Sequence, residues 1–164
     1  MLRRIIDELR SHIPFTALGA VTGIIIMVIV VFFNVLPNVS QVSQTVFYIL
    51  HPFHVVLSAL VTTAIFKKHG NGKIWAIILV GYFGSIFIAT LSDSIIPYLG
   101  ETLLGLPNRG IHIGFIEEWQ IVNPAAFFGI ALGYLDYFYD RYDLGAVLLS
   151  TWASLFHTIM ALGE

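Results

Sequence analysis

The sequence predicts an all-α integral membrane protein whose five transmembrane helices form one bundle. Three observations predict this class: hydrophobic residues make up 57% of the 164 residues, charged residues make up only 11%, and the mean hydropathy is +0.86. A soluble domain of this size needs more polar surface than that composition can supply. The chain is therefore expected to lie almost entirely within a lipid bilayer, with no room for a second domain.

The N-terminal segment, residues 1–12, is predicted to be a short amphipathic helix at the membrane interface. Its apolar side chains recur at helical spacing, and its charged side chains occupy the rest of the turn. The apolar set is Leu2, Ile5, Ile6 and Leu9, and the charged set is Arg3, Arg4, Asp7, Glu8 and Arg10. We expect this helix to anchor the chain at the membrane surface.

Five apolar stretches follow within residues 13–164, which we treat as a single transmembrane domain. A helix that crosses the hydrocarbon core needs about 20 residues, because each residue adds about 1.5 Å. The predicted spans cover residues 15–36, 45–66, 74–98, 121–139 and 144–163.

Positively charged residues predict the orientation of the bundle, because cytoplasmic loops carry the excess of Lys and Arg. They occur before span one, between spans two and three, and between spans four and five. These residues are Arg3, Arg4, Arg10, Lys67, Lys68, Lys73 and Arg141. The opposite side has Arg109 together with Glu101, Glu117 and Glu118. The sequence thus predicts a cytoplasmic N-terminus and an outside C-terminus in a multi-pass protein of the cytoplasmic membrane.

The loop between spans three and four, residues 100–120, is too long for a simple connector. It is rich in Gly and apolar residues, which favours a re-entrant or surface-lying lid over the outer ends of the spans. Asn123 is predicted to cap span four, with Pro124 at its first helical position, because these residue types favour those positions.

Four ionisable side chains on three spans are predicted to lie at similar depth. Counting from the start of each span, His51 and His54 lie roughly 9 and 14 Å below the outer face, and His157 lies roughly 10 Å below it. Asp93 lies about 28 Å across a core of about 30 Å, which is close to the outer surface. Ionisable groups inside a membrane are costly and usually functional, so this convergence is the strongest clue to function.

These four residues are the ligand types that a divalent metal prefers in a chain without cysteine. Zinc suits three imidazoles and a carboxylate best, and iron or manganese would also be accepted. A bound metal lowers the pKa of its water toward 7 and creates a nucleophile. Glu117 or Glu118 is then the predicted general base, and Ser92 or Ser154 would hold a substrate oxygen. The leading hypothesis is a metal-dependent hydrolase that acts on a lipid or amphiphile.

Two alternatives from other classes stay open. In a transporter or channel subunit the same groups would bind an ion in transit. The sequence argues mildly against this, because the only polar residues in the inward halves of spans two, three and five are Thr62, Thr63 and Ser85. In a haem-binding or accessory subunit, His54 and His157 would be axial ligands.

Possible partners follow from small-residue spacing and from charge. The pairs Gly19/Gly23 and Gly129/Gly133 have the spacing that allows close helix packing, which could support a homo-oligomer. A net charge of −2 gives no reason to expect a nucleic-acid partner.

Overall fold

A computed structural model describes residues 2–33, 36–69, 73–135 and 143–162. Every regular element within these ranges is helical, and none is a strand. The elements are α1 (Leu2–Phe32), α2 (Leu36–His69), α3 (Ile74–Thr90), a π-helical turn (Leu91–Ile95), α4 (Ile96–Leu104), α5 (Gly114–Glu117), α6 (Trp119–Leu135) and α7 (Asp143–Leu162). The all-α class predicted from the sequence is confirmed.

Three helical stretches are long and apolar enough to cross a membrane, as in a membrane protein. They are Gln41–His69, Ile74–Leu104 and Leu144–Ala161. The first predicted span falls on α1, where the apolar stretch Ile13–Ile26 is shorter. The fourth falls on α6, which has 17 residues, and the remainder of that predicted span lies outside the described residues.

The N-terminal segment does not form a separate helix, because α1 runs without a break from Leu2 to Phe32. The predicted interfacial segment therefore continues directly into the first apolar stretch. Pro14 is accommodated inside α1. Arg141, one of the residues that predicted the orientation, lies outside the described ranges.

The bundle is built around α2, which packs against α3, α6 and α7, while α1 packs mainly against α7. The apolar core lies where α2, α3 and α6 meet. Its buried members are Val55, Ile86, Ala89, Val122 and Ala126. Ala89 on α3 and Ala126 on α6 are its small members, and small side chains allow helices to approach one another closely.

Two glycines of α6 lie directly against the backbone of α2. A Cβ atom at Gly133 would lie 2.2 Å from the carbonyl oxygen of Leu60, and one at Gly129 would lie 2.3 Å from the carbonyl oxygen of Val56. The backbone of α2 cannot move away from either position without opening the core. This pair of glycines therefore serves packing within the chain.

The glycine pair of α1 is also covered by the same chain. A Cβ atom at Gly19 would lie 2.8 Å from Thr151, and one at Gly23 would lie 3.0 Å from Leu155, both on α7. The contacts that the small-residue spacing predicted are thus found between helices of one molecule. Self-association stays a prediction from the sequence.

The helix that begins at α3 extends further than predicted. The π-helical turn widens it, with the Ile96 amide donating to the Leu91 carbonyl, and α4 continues it to Leu104. Gly105 ends α4 with a positive φ of 65°, a conformation that glycine adopts without steric cost. The sequence had placed the end of this span at Tyr98.

The predicted capping role of Asn123 is wrong, because α6 begins four residues earlier, at Trp119. The carbonyl oxygen of Glu118 accepts the amides of Ile121 and Val122, which starts the helix. Asn123 instead accepts a hydrogen bond from the Tyr82 hydroxyl at 3.0 Å. Its side chain therefore links α6 to α3.

Candidate functional site

The site is centred on Asp93, which the π-helical turn holds fully buried inside the bundle. Two histidines of α2 donate to the same oxygen of this carboxylate. Nδ1 of His51 lies 2.9 Å from Oδ2, and Nδ1 of His54 lies 2.8 Å from it. The structure thus brings together three of the four residues that the sequence proposed as metal ligands.

The other oxygen of Asp93 accepts from two serines. The hydroxyl of Ser92 lies 2.5 Å from Oδ1, and that of Ser150 on α7 lies 3.3 Å from it. A carboxylate offers about four acceptor positions, so side chains of the same molecule occupy all of them. Asp93 thereby links α2, its own turn and α7.

Two serines proposed for substrate binding have structural contacts here. Ser92 donates to Asp93, and Ser154 donates to the backbone carbonyl of Ser92 at 2.6 Å and to that of Ser150 at 2.9 Å. The Ser154 hydroxyl therefore joins α7 to the π-helical turn, whereas the Ser92 hydroxyl bonds within the turn.

The two α2 histidines differ in what their second ring nitrogen meets. Because Nδ1 of each ring donates to Asp93, Nε2 is the acceptor of the neutral ring. Nε2 of His51 is buried and has no hydrogen-bond partner in the described part of the chain. It lies against Gly114 at the start of α5, where a Cβ atom would be 2.5 Å away. His54 instead lines a cavity.

The fourth proposed ligand, His157, belongs to a different pair. Its Nδ1 lies 2.8 Å from Oε1 of Glu101, a carboxylate that is fully buried. Glu101 falls in the predicted outer loop, residues 100–120, and outside the predicted spans. The spacing between Asp93 and Glu101 could have revealed this pair. Eight residues are about two helical turns, so the two side chains lie on the same helix face if the helix continues past Tyr98.

The predicted lid folds back over these pairs. Nδ1 of His112 lies 2.5 Å from Oε2 of Glu117, and Nε2 lies 2.7 Å from Oε1 of Glu118. Both ring nitrogens can donate only in the imidazolium form. The hydrogen bond with Glu118 and the nearby negative charges raise the pKa of His112 above its usual value of 6.5. Glu117 and Glu118, the predicted general bases, thus bind His112 within the lid. No contact described for them reaches Asp93.

The lid is tied to the helices below it at two further points. The Ser94 hydroxyl donates to the carbonyl oxygen of His112, so the residue next to Asp93 holds the lid. The Gly110 amide donates to Oε2 of Glu101 at 3.4 Å. The same carboxylate thereby contacts both the lid and His157.

One phenyl ring contacts an imidazole of each histidine–carboxylate pair. Phe47 is fully buried, stacks on His51 at 5.3 Å between ring centroids, and meets His157 edge-on at 5.3 Å. It also meets His112 edge-on at 5.8 Å. Three imidazoles therefore surround one aromatic side chain.

Each of the two histidine–carboxylate pairs has a cavity beside it. The outer cavity, about 230 Å³, is lined by Gln44, Tyr48, His112 and His157 together with lid residues. The inner cavity, about 360 Å³, is lined by side chains of α1, α2, α3 and α7: the apolar Val61, Ile88, Ala146 and Val147, together with His54, the serines Ser58 and Ser150, and the threonines Thr16, Thr62 and Thr151. His54, which is paired with Asp93, lines the inner cavity. His157, which is paired with Glu101, lines the outer cavity.

The four proposed metal ligands do not assemble into one ligand shell. Within the described ranges, no group of three or more His, Asp and Glu side chains is arranged to hold a metal ion. Nδ1 of His51 and Nδ1 of His54 both donate to Asp93. His157 is bound to Glu101 instead. What the arrangement offers is acid–base chemistry: each imidazole is oriented by a carboxylate through Nδ1.

Comparison with protein-family models, curated proteins and solved structures finds no match for this chain.

Proposed function

We propose that the chain is a five-span protein of the cytoplasmic membrane, with a cytoplasmic N-terminus, that hydrolyses a lipid or another amphiphile at His54. Three described helical stretches are long and apolar enough to cross a membrane, and α1 and α6 overlap the other two predicted spans. The orientation is supported by the sequence, which has Lys and Arg before span one, between spans two and three, and between spans four and five. The hydrolase assignment is carried by one observation: the His54–Asp93 pair lines an apolar cavity among the helices.

The inner cavity suits a molecule with an apolar chain and a neutral polar group. Val61, Ile88 and Val147 supply apolar surface, while His54 and Ser58 supply the polar end. No Lys or Arg is among the described residues that line it, which disfavours a phosphate group as the part that reacts. We place the access route between α1 and α3, which bound the cavity through Thr16 and Ile88.

The chemistry follows from the fixed orientation of the imidazole. Asp93 holds Nδ1–H of His54, so Nε2 can take a proton from a water molecule whose oxygen attacks an ester or amide carbonyl carbon. The imidazolium is stabilised by Asp93 and returns the proton to the leaving alcohol or amine. Ser58, one helical turn from His54, would donate a hydrogen bond to the carbonyl oxygen. The products are a carboxylic acid and an alcohol or amine.

A divalent metal at the same position, zinc or else iron or manganese, is the second proposal. It is favoured by the meeting of two imidazole nitrogens and one carboxylate oxygen within 2.9 Å. His51, His54 and Asp93 would hold the metal, which would supply a bound water of lowered pKa as the nucleophile. The metal would replace both Nδ1 protons.

Ion transport also stays a proposal, although no described contact favours it over hydrolysis. Haem ligation by His54 and His157 has less support, because the two imidazoles line different cavities.

The test compares hydrolysis of neutral ester and amide amphiphiles by the native protein and by His54→Ala in mixed micelles. Loss of the general base is expected to slow turnover by about 10² to 10⁴-fold. His69→Ala is the matched control, because His69 is an exposed histidine on the same helix, at its C-terminal end. Equal turnover by native protein and His54→Ala would contradict the proposal.

Metal analysis of the same purified samples separates the two forms of the proposal. About one zinc, iron or manganese per native chain, lost in both His51→Ala and His54→Ala, would favour the metal-dependent form. Hydrolysis that survives treatment with a chelator would favour the metal-free form.

A further inference from the structure

An apolar groove lies on the surface of the bundle between the start of α3 and the second half of α6. Ile74 and Ile78 form one wall, and Phe127, Tyr134 and Leu135 form the other, around a volume of about 460 Å³. Each of these five residues is 39% to 73% exposed. The eight residues from Phe127 to Leu135 cover about 12 Å, which is most of the depth of one leaflet. This α3–α6 groove thus has the lining and the length to hold an acyl chain.

Two lysines stand at one end of the α3–α6 groove. Lys67 of α2 donates to the backbone carbonyl of Tyr134, and its ammonium lies 4.6 Å from the centre of the Tyr134 ring. Lys73 is exposed and directly precedes Ile74, the first residue of α3. No Asp or Glu is among the described residues that line the groove. The end at Ile74 and Tyr134 therefore combines apolar surface with positive charge.

The start of α3 adds to the attraction for an anion at this end. Lys73 occupies the N-cap position, and its side chain does not cap the helix, because an ammonium has no acceptor. Amides in the first turn of a helix have no partner within the helix, and the positive end of the helix dipole favours a phosphate. A phosphate between Lys67 and the start of α3 would meet two cations and these amides.

We infer that the α3–α6 groove binds an anionic phospholipid, with its phosphate at Lys67 and Lys73 and one acyl chain along the groove. Both parts of such a lipid are matched, since basic residues beside a groove between membrane helices favour an anionic headgroup. Among the described residues, none lines both this groove and the cavity at His54. The inference therefore does not rest on hydrolysis, and its test requires no turnover.

Trp75 reports on the lipid beside this groove. It is 62% exposed and lies about one helical turn before Ile78 on α3. The chain has three tryptophans, so Trp119→Phe and Trp152→Phe together leave Trp75 alone. This chain is reconstituted into phosphatidylcholine vesicles that contain increasing fractions of brominated phosphatidylglycerol or brominated phosphatidylcholine. Bromine quenches a nearby tryptophan, so the two series give the relative affinity of the two lipids at Trp75.

We expect phosphatidylglycerol to be preferred at Trp75 by about 5- to 25-fold, because each lysine near the membrane surface favours an anionic lipid by about fivefold. Lys67→Gln and Lys73→Gln should each lower the preference by about fivefold, and Lys67→Arg should retain it. Lys68→Gln is the matched control, because it removes the same charge about 100° further around α2. Its effect on the preference should be much smaller.

Ala131→Phe tests the apolar part of the site without changing a charge. Ala131 lines the groove and is exposed, so a phenyl ring there should fill the groove and leave the bundle folded. The preference for phosphatidylglycerol at Trp75 should fall to about one. A preference that survives Ala131→Phe would overturn the inference, because surface charge alone would then attract the lipid.

Three other results would also overturn it. The first is equal quenching of Trp75 by the two brominated lipids, and the second is an equal loss of preference in Lys67→Gln and Lys68→Gln. The third is weak quenching by both lipids, because a second copy of the chain would then cover the groove. A chain that keeps only Trp119, which is 57% exposed at the start of α6, should show no preference between the two lipids. The same preference at Trp119 would show that the lipid is not bound at the groove.

Discussion

Replacement of Asp93 by alanine tests whether this carboxylate holds the bundle together. The substitution removes an acceptor shared by four donors: His51, His54, Ser92 and Ser150. Side-chain hydrogen bonds between membrane helices are worth about 0.6 kcal/mol on average and about 1.7 kcal/mol at most. Three of the four, from His51, His54 and Ser150, join different helices and therefore predict a loss of about 2 to 5 kcal/mol in the free energy of unfolding.

The assay is reversible unfolding in mixed micelles with increasing dodecyl sulfate, followed by the fluorescence of the three tryptophans. Asp93→Asn should lose less than Asp93→Ala, because an amide of the same shape still accepts from the histidines and can donate to the serines. Glu117→Ala is the control, since Glu117 is 47% exposed on the lid and an exposed pair contributes at most about 1 kcal/mol. An Asp93→Ala protein within about 0.5 kcal/mol of the native free energy would refute the reasoning, because that difference is typical of a neutral surface change.

Three other perturbations test the packing, a buried hydroxyl and the lid. Gly133→Ala should lower the free energy of unfolding by about 1 to 3 kcal/mol in the same assay, because its Cβ would overlap the Leu60 carbonyl; an unchanged value would show that the helices can separate without cost. Thr63→Val should be neutral or stabilising by up to about 1 kcal/mol, because the Thr63 hydroxyl is buried without a partner in the described ranges; a clear loss would reveal a hydrogen bond. The raised pKa of His112 predicts that its pairing with Glu118 stabilises the folded lid fully below pH 6.5 and is lost as pH rises through the higher folded-state pKa. Histidine proton resonances followed against pH should place that midpoint above 6.5 in the native protein and lower it in Glu118→Gln; a native midpoint at or below 6.5 would contradict the pairing.

The helices could be predicted from the sequence because a membrane imposes a simple rule. Backbone amides and carbonyls in hydrocarbon must pair within their own segment, so a long apolar stretch has to be helical. The 1.5 Å rise per residue then gave the depth of each polar group. This reasoning placed His51, His54 and Asp93 near one another, as the structure has them.

The second histidine–carboxylate pair could not be predicted in the same way. The predicted third span ends at Tyr98, next to Pro97, and proline lacks the amide that continues a regular helix. The π-helical turn removes that obstacle by placing Pro97 in the first turn of α4, where its missing amide costs little. The helix then continues to Glu101, which becomes a buried partner of His157.

The π-helical turn is the feature on which the arrangement of the site depends. In a regular α-helix, neighbouring side chains point about 100° apart, so Asp93 and Ser94 would rarely both face the interior. The wider turn buries both, and their contacts lead to different elements: Asp93 to α2 and α7, and Ser94 to the lid at His112. Single π-helical turns are frequent at functional sites because they offer this kind of local rearrangement. The carboxylate that orients His54 and the hydroxyl that holds the lid are adjacent in the chain, so a shift of this turn would move the acid–base pair and the outer cover together.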